Sequence, residues 1–255
     1  MKKITLKNWS LFFSVSTCLL LSTLAYSQDT PPDGLTQANF VEGKRSMKNL
    51  VKFPRIKTDI DIQVMCRGEA TSKGRLKESR CSAPDDPDLK FTMAVERKFK
   101  SARLTPAIVD GTPQDVDFQF LVHFKKENEL ESIEVYPNNG KNIDRLGADY
   151  ISAQRYSEYV WPSACKQALG HMTNDVIMQV AVVNRSGLAT NSQILSAGGG
   201  ITPSCQAGLE SQLANSRWIP ATHNGQAVDS YWVFPIVITS ANFKRQSRGE
   251  QKSVN

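Results

Sequence analysis

Val176-Ile177-Met178-Gln179-Val180-Ala181-Val182-Val183 opens the stretch that decides the fold. Val, Ile and Met without helical spacing, ended by the polar turn Asn184-Arg185-Ser186-Gly187, predict a largely buried strand. A more polar extended run over residues 188–197 follows, then Gly198, Gly199 and Gly200. Thr202 can cap the free N–H groups of a first helical turn, and Pro203 suits the first helical position. Cys205, Leu209 and Leu213 recur every four residues and give that helix one apolar stripe. Pro220 stops any continuation. After the turn Asn224-Gly225, the run Tyr231-Trp232-Val233-Phe234-Pro235-Ile236-Val237-Ile238 predicts a last strand. Pro235 cannot donate to a ladder, which makes this an edge strand. The apolar first strand is then the centre of a sheet, and the helix covers one face of it.

Several landmarks lie in order along this stretch. Trp161-Pro162 with Ala164 and Gly170 precede the first strand, Ser186-Gly187 form the hairpin, and Ser196-Ala197-Gly198 follow it. Arg217-Trp218-Ile219-Pro220-Ala221 then leads to Asn224-Gly225. As an ordered set over about residues 159–242 they resemble the TonB C-terminal domain family. The resemblance implies a small α+β domain with a three-stranded antiparallel sheet and a helix packed on it. It implies binding and no catalysis. In the energy-transducing members the domain reaches outer-membrane receptors and pairs with a short receptor segment along its last strand.

The same pattern occurs earlier. Arg103-Leu104-Thr105-Pro106-Ala107 matches Arg217-Trp218-Ile219-Pro220-Ala221 at an offset of 114 residues. At that offset Gly111 matches Gly225, Asp115 matches Asp229, Phe118 matches Trp232 and Glu96 matches Glu210. The hairpins themselves need a gap. Ile60, Ile62 and Val64 alternate as in a half-buried strand, and Phe118, Phe120, Val122 and Phe124 share one face of another. Asp85-Asp86-Pro87 marks a helix start, with Phe91, Val95 and Phe99 four apart. The fold expected is α+β: two tandem small domains, each a three-stranded antiparallel sheet with a helix on one face. The bounds are 1–27 signal peptide, 28–46 flexible lead, 47–126 first TonB-like domain, 127–157 connector, 158–241 second TonB-like domain and 242–255 disordered basic tail. Residues 132–136 could extend the first sheet, and residues 151–160 are expected as a short helix on the second domain.

The chain has 255 residues and a formal net charge of +6. Lys2, Lys3 and Lys7 belong to an N-terminal segment whose apolar run ends at Ala25-Tyr26-Ser27, which reads as a secretory signal cleaved before Gln28. The weak charge surplus left shows no basic face with interleaved aromatics, so nucleic acid is not an expected partner. Export places the chain in the periplasm; the alternative is an uncleaved inner-membrane anchor. Cys18 stays unassigned. Cys66, Cys81, Cys165 and Cys205 then favour disulfides over metal, as no Cys-x-x-Cys or His-x-x-x-His occurs. Cys66 and Cys81 lie symmetrically about the turn Ser72-Lys73-Gly74-Arg75 and would face each other across a hairpin. Closing that loop contributes about 3 kcal/mol in the chain-entropy view. Cys165 and Cys205 would tie the lead-in segment to the helix.

His123, His171 and His223 are scattered, and no phosphate loop, Gly-x-Ser-x-Gly or His-Glu-x-x-His is present. No nucleophile meets a base, so neither an enzyme nor a cofactor is expected. Binding rests on unpaired sheet edges, which can take an extended peptide as an added strand. Tyr231, Val233 and Pro235 alternate to the face away from Trp232 and Phe234, and with Trp161 and Pro162 are the contact candidates. The expected function is an exported, non-enzymatic envelope protein that binds a protein partner, such as a receptor segment of the outer membrane. Edge strands could equally pair two copies. An inner-membrane motor enters only with an uncleaved anchor, and the energy transducers' Pro-rich spacer has no counterpart here.

Overall fold

The two halves of the chain follow one plan in a computed structural model, which describes residues 34–157, 162–168, 175–196 and 201–238. Strands β1 (Leu35–Thr36) and β2 (Asn39–Phe40) and helix α1 (Met47–Leu50) lead into the hairpin β3 (Ile60–Ala70) and β4 (Leu76–Ser82). Helix α2 (Lys90–Glu96) follows, then β5 (Leu104–Thr105), the small hairpin β6 (Ala107–Val109) and β7 (Thr112–Gln114), β8 (Val116–Glu127) and β9 (Leu130–Tyr136). The second half has α3 (Ile143–Leu146), β10 (Gln154–Arg155), α4 (Ser163–Ala168), the hairpin β11 (Asp175–Val183) and β12 (Ala189–Ser196), and α5 (Pro203–Ala214). It ends with β13 (Trp218–Ile219), the hairpin β14 (Ala221–His223) and β15 (Gln226–Val228), and β16 (Ser230–Ile238).

The fold is α+β with antiparallel sheets, but it is not two three-stranded domains. The first large sheet has four strands in the order β4-β3-β8-β9, and the second has three in the order β12-β11-β16. The extra strand follows from a two-residue turn. Asn128 and Glu129 both adopt positive φ (51° and 65°), the geometry that matches the twist of a tight hairpin. Leu130–Tyr136 is thereby returned along β8, with Glu127 opposite Leu130 and Leu121 opposite Tyr136.

The repeat extends further than the expected bounds. Asn39 and Phe40 pair with Thr105 and Leu104, as Gln154 and Arg155 pair with Ile219 and Trp218. The Val41 N–H donates to the Arg103 carbonyl at 3.1 Å, and the Tyr156 N–H to the Arg217 carbonyl at 3.1 Å. Residues 35–41 are therefore an ordered lead-in and not a flexible one. Residues 151–156 are its counterpart, with an isolated bridge at Ile151 and the strand β10 at Gln154–Arg155 where a helix was expected. Short ladders to β5, β6, β13 and β14 satisfy backbone groups that a free lead would leave to water. The signal segment, Trp161, His171, residues 197–200 and the basic tail lie outside the described residues.

The hairpins superpose with a gap of one residue. Gly74 and Gly187 occupy the same corner, their N–H groups donating to the Thr71 and Asn184 carbonyls at 2.8 and 2.9 Å. Asp115 Oδ1 accepts the Ser72 N–H at 2.6 Å, and Asp229 Oδ1 accepts the Arg185 N–H at 2.9 Å. The Ser72 N–H holds the Asp115 carboxyl below its ordinary value. A carboxyl depressed on folding adds stability above its unfolded pKa, and loses it as pH falls through the folded value. Asp115→Ala should therefore lower Tm at pH 7, for a loss of about 1 kcal/mol. It should also flatten the decline of Tm below about pH 4. Melts of both proteins from neutral to acid pH check this; parallel curves would remove Asp115 from the acid response.

Each sheet buries one face under its helix. Phe118, Phe120, Val122 and Phe124 of β8 join Phe91 and Val95 of α2 in the first core. Phe40 sets its ring edge-on to Phe118 and Phe120 at 5.4 and 5.0 Å. In the second core Ile177, Ala181, Leu209, Leu213 and Trp232 are buried, with Trp218 edge-on to Trp232 at 4.7 Å. Thr202 caps α5 as expected, its hydroxyl accepting the Cys205 N–H at 3.2 Å, and Pro203 opens the helix. Helix α2 starts later than expected, at Lys90, and Asp86 accepts the Thr92 N–H at 2.8 Å. Both disulfides form, Cys66–Cys81 across β3 and β4, and Cys165–Cys205 between α4 and α5. Disulfides persist outside reducing cytoplasm. No helix among the described residues is long and apolar enough to cross a membrane.

Candidate functional site

β8 and β16 occupy equivalent positions, and the second half is laid against the back face of the first sheet. Two arginines contribute to this. The Arg155 guanidinium donates to Asp117 Oδ2 through Nε at 2.7 Å and Nη2 at 2.6 Å, and also reaches Gln179 Oε1 at 3.4 Å. It stands 5.3 Å over the Trp232 ring, the place that Phe40 takes against Phe118 in the first repeat. An aromatic of the first repeat has become a cation in the second, and the cation reaches across to the other repeat. Arg67 stacks over Phe234 at 5.4 Å, and burial, with Arg80 nearby, brings its pKa down to about 10.

This packing decides the state of the edge that carried three candidate residues. Tyr231 is exposed (54%), Trp232 is buried, and Val233, Phe234 and Pro235 are half-buried. Outward backbone groups of β16 are nevertheless engaged at Tyr231 and Val233. Asn142 Oδ1 accepts the Tyr231 N–H at 3.0 Å while its Nδ2 donates to the Tyr231 carbonyl at 3.0 Å. Gln119 Nε2 donates to the Val233 carbonyl at 2.7 Å. One side-chain amide thus makes both bonds that a residue of an added strand would make.

Asn142 is held by a buried polar cluster. Asn138, Asn139 and Asn142 are all buried, and the Tyr150 hydroxyl donates to Asn139 Oδ1 at 2.9 Å. Asn138 Nδ2 donates to the Ala148 and Tyr150 carbonyls at 2.6 and 3.1 Å, and Ser152 Oγ accepts the Asn139 N–H at 3.1 Å. Arg145 donates to the Asp229 carbonyl. Pro137-Asn138-Asn139-Gly140 falls in the stretch expected as a connector. The signal for this cluster is three asparagines within five residues, more amide groups than a turn uses.

Two other edges are closed from their own helices. Glu210 Oε1 of α5 accepts the Ile194 N–H of β12 at 3.1 Å, and Gln206 Nε2 donates to the Ile194 carbonyl at 3.3 Å. Glu96 Oε1 of α2 accepts the Cys81 N–H of β4 at 2.9 Å. Glu96 and Glu210 are one of the repeat's matched pairs, so the match records an edge cap. Such caps block unwanted pairing of a sheet edge. β9 differs. Helix α1 lies near it, with Lys48 and Glu134 paired at 2.7 Å. Among the described residues no hydrogen bond from outside the sheet reaches the backbone of residues 130–135, and Leu130 is 78% exposed.

Pro162 packs on α5 so closely that a Cβ on Gly208 would lie 2.9 Å from its own Cβ, which makes it a helix-docking residue. His123 is half-buried with Nε2 2.6 Å from Asp61 Oδ1, and His223 lies 3.6 Å from Asp149. Compared with protein-family models, curated proteins and solved structures, the chain matches none.

Proposed function

We propose that the chain is an exported, non-enzymatic TonB-like binding protein of the bacterial periplasm that captures an extended segment of a protein partner by strand addition along β9. The observation that carries this is a contrast among edges. β4, β12 and β16 each have backbone groups closed by side chains, and the backbone of residues 130–135 has none among the described residues. Main-chain hydrogen bonds to a free edge supply affinity in strand addition, and side-chain pockets beside it supply selectivity. A cavity of about 410 Å³ at the C-terminal end of β9, lined by Phe40, Val135, Tyr136 and Pro137, provides such a pocket. The two disulfides support export. The TonB resemblance makes the periplasm-facing segment of an outer-membrane receptor the first partner to try.

Amide hydrogen exchange on the oxidised mature chain, with and without synthetic receptor segments, tests the reading. Bound peptide should slow exchange at Glu131 to Val135 by at least about tenfold. Tyr231→Asp should leave capture intact. Protection confined to β16, or capture lost in Tyr231→Asp, would sink the β9 assignment and restore the last strand as the docking edge.

A further inference from the structure

We propose that the groove beside α2 binds an acidic, amphipathic helical segment of a partner protein. This site is separate from β9 and does not depend on it. In the second repeat α4 lies on α5, joined by Cys165–Cys205 and by Pro162 against Gly208. In the first repeat the seat that corresponds to that of α4 is only partly filled. Phe91 stands in the place of Cys205 and meets Phe53 edge-on at 6.0 Å, an aromatic contact where the second repeat has a disulfide. Residues 51–59 then run on without forming a helix.

The result is an open groove of about 460 Å³, a volume in the range of ligand clefts. Its floor is apolar: Pro54, Ala94 and Met93, the last 42% exposed. Its rim is basic. Lys52, Arg55, Arg97 and Lys98 line it and make no ion pair among the described residues, whereas Lys90 is neutralised by Asp88 at 2.9 Å. At the matching positions α5 has Ala207, Ser211 and Gln212 in place of Met93, Arg97 and Lys98. The positive charge therefore belongs to the open seat and not to the filled one. A helix in the place of α4, with an apolar stripe on Met93 and Pro54 and carboxylates at the rim, satisfies both features.

The test uses the full mature chain, oxidised, and a labelled synthetic helix with Leu on one face and Glu on the others, followed by fluorescence anisotropy. Saturable, salt-sensitive binding is expected. The double variant Arg97→Glu, Lys98→Glu should weaken it by at least about tenfold, and should bind a Lys-for-Glu version of the peptide better than the parent does. Met93→Asp should also weaken it, with far-UV circular dichroism and Tm unchanged in each variant. Absence of saturable binding, or binding indifferent to Arg97 and Lys98, overturns the proposal. Vesicles of phosphatidylglycerol are the other arm. Binding to them that is lost in the double variant, without binding to the peptide, would make the groove a lipid site and overturn it too.

Discussion

Asp117→Ala is expected to lower stability by about 3 kcal/mol, an effect out of proportion to one half-buried carboxylate. The reason is what it leaves behind. The Arg155 side chain is only 4% exposed and donates to Asp117 Oδ2 from Nη2 and Nε, at 2.6 and 2.7 Å. Removing the acid leaves a buried cation facing the first sheet without that counter-charge. Taking both charges away together is far milder, because desolvation of the pair offsets most of their attraction. The double variant Asp117→Leu, Arg155→Met should therefore recover most of the loss. Urea denaturation of Asp117→Leu, Arg155→Met and their double variant gives the coupling energy directly. Additive losses would mean that Arg155 is held by its stacking on Trp232 and not by Asp117. The position also reports on the assembly, since Asp117 lies in the first repeat and Arg155 in the second.

Gly74→Ala and Gly187→Ala should each cost about 3 kcal/mol, from positive φ together with a backbone collision. Their φ values are 66° and 75°, and a Cβ at either would run into a carbonyl oxygen, that of Leu104 or of Trp218. Neither oxygen is the tip of a flexible side chain; both belong to the short strands β5 and β13. Gly111 supplies the control. Its φ is 76°, with nothing within 4 Å of an added Cβ. Gly111→Ala should cost only the conformational term, about 1 kcal/mol. The difference between the two kinds of variant measures the close approach of hairpin to strand. Equal losses at Gly74 and Gly111 would show that the carbonyl yields freely.

Much of the fold was legible because its signals are local. The four-residue stripe of Cys205, Leu209 and Leu213, the Thr202 cap and the alternation of Phe118, Phe120, Val122 and Phe124 all appear as expected. The symmetry of Cys66 and Cys81 about their turn was enough to pair them. The repeat offset also held, and its matched Asp115–Asp229 and Glu96–Glu210 pairs turn out to be turn and edge caps. Strand β9 was harder to read, since its existence depends on Asn128 and Glu129 taking positive φ, and Glu is a poor indicator of that geometry. The lead-in strands β2 and β10 are two residues each, too short for a period to show.

The candidate site was legible only in outline. Pro235 marked β16 as an edge strand, and the sheet order agrees. That the edge is closed at Tyr231 and Val233 depends on Asn142 and Gln119, which lie 89 and 114 residues away. By itself, the sequence determined the repeat, the helices and central strands, the turns and the disulfide partners. The physical reason is that periodicity, capping and turn chemistry act between residues a few positions apart. Tertiary structure alone decided which backbone edges are closed and which is free. A side-chain amide that satisfies a distant carbonyl follows no period, and its role exists only once residues far apart in the chain are packed together.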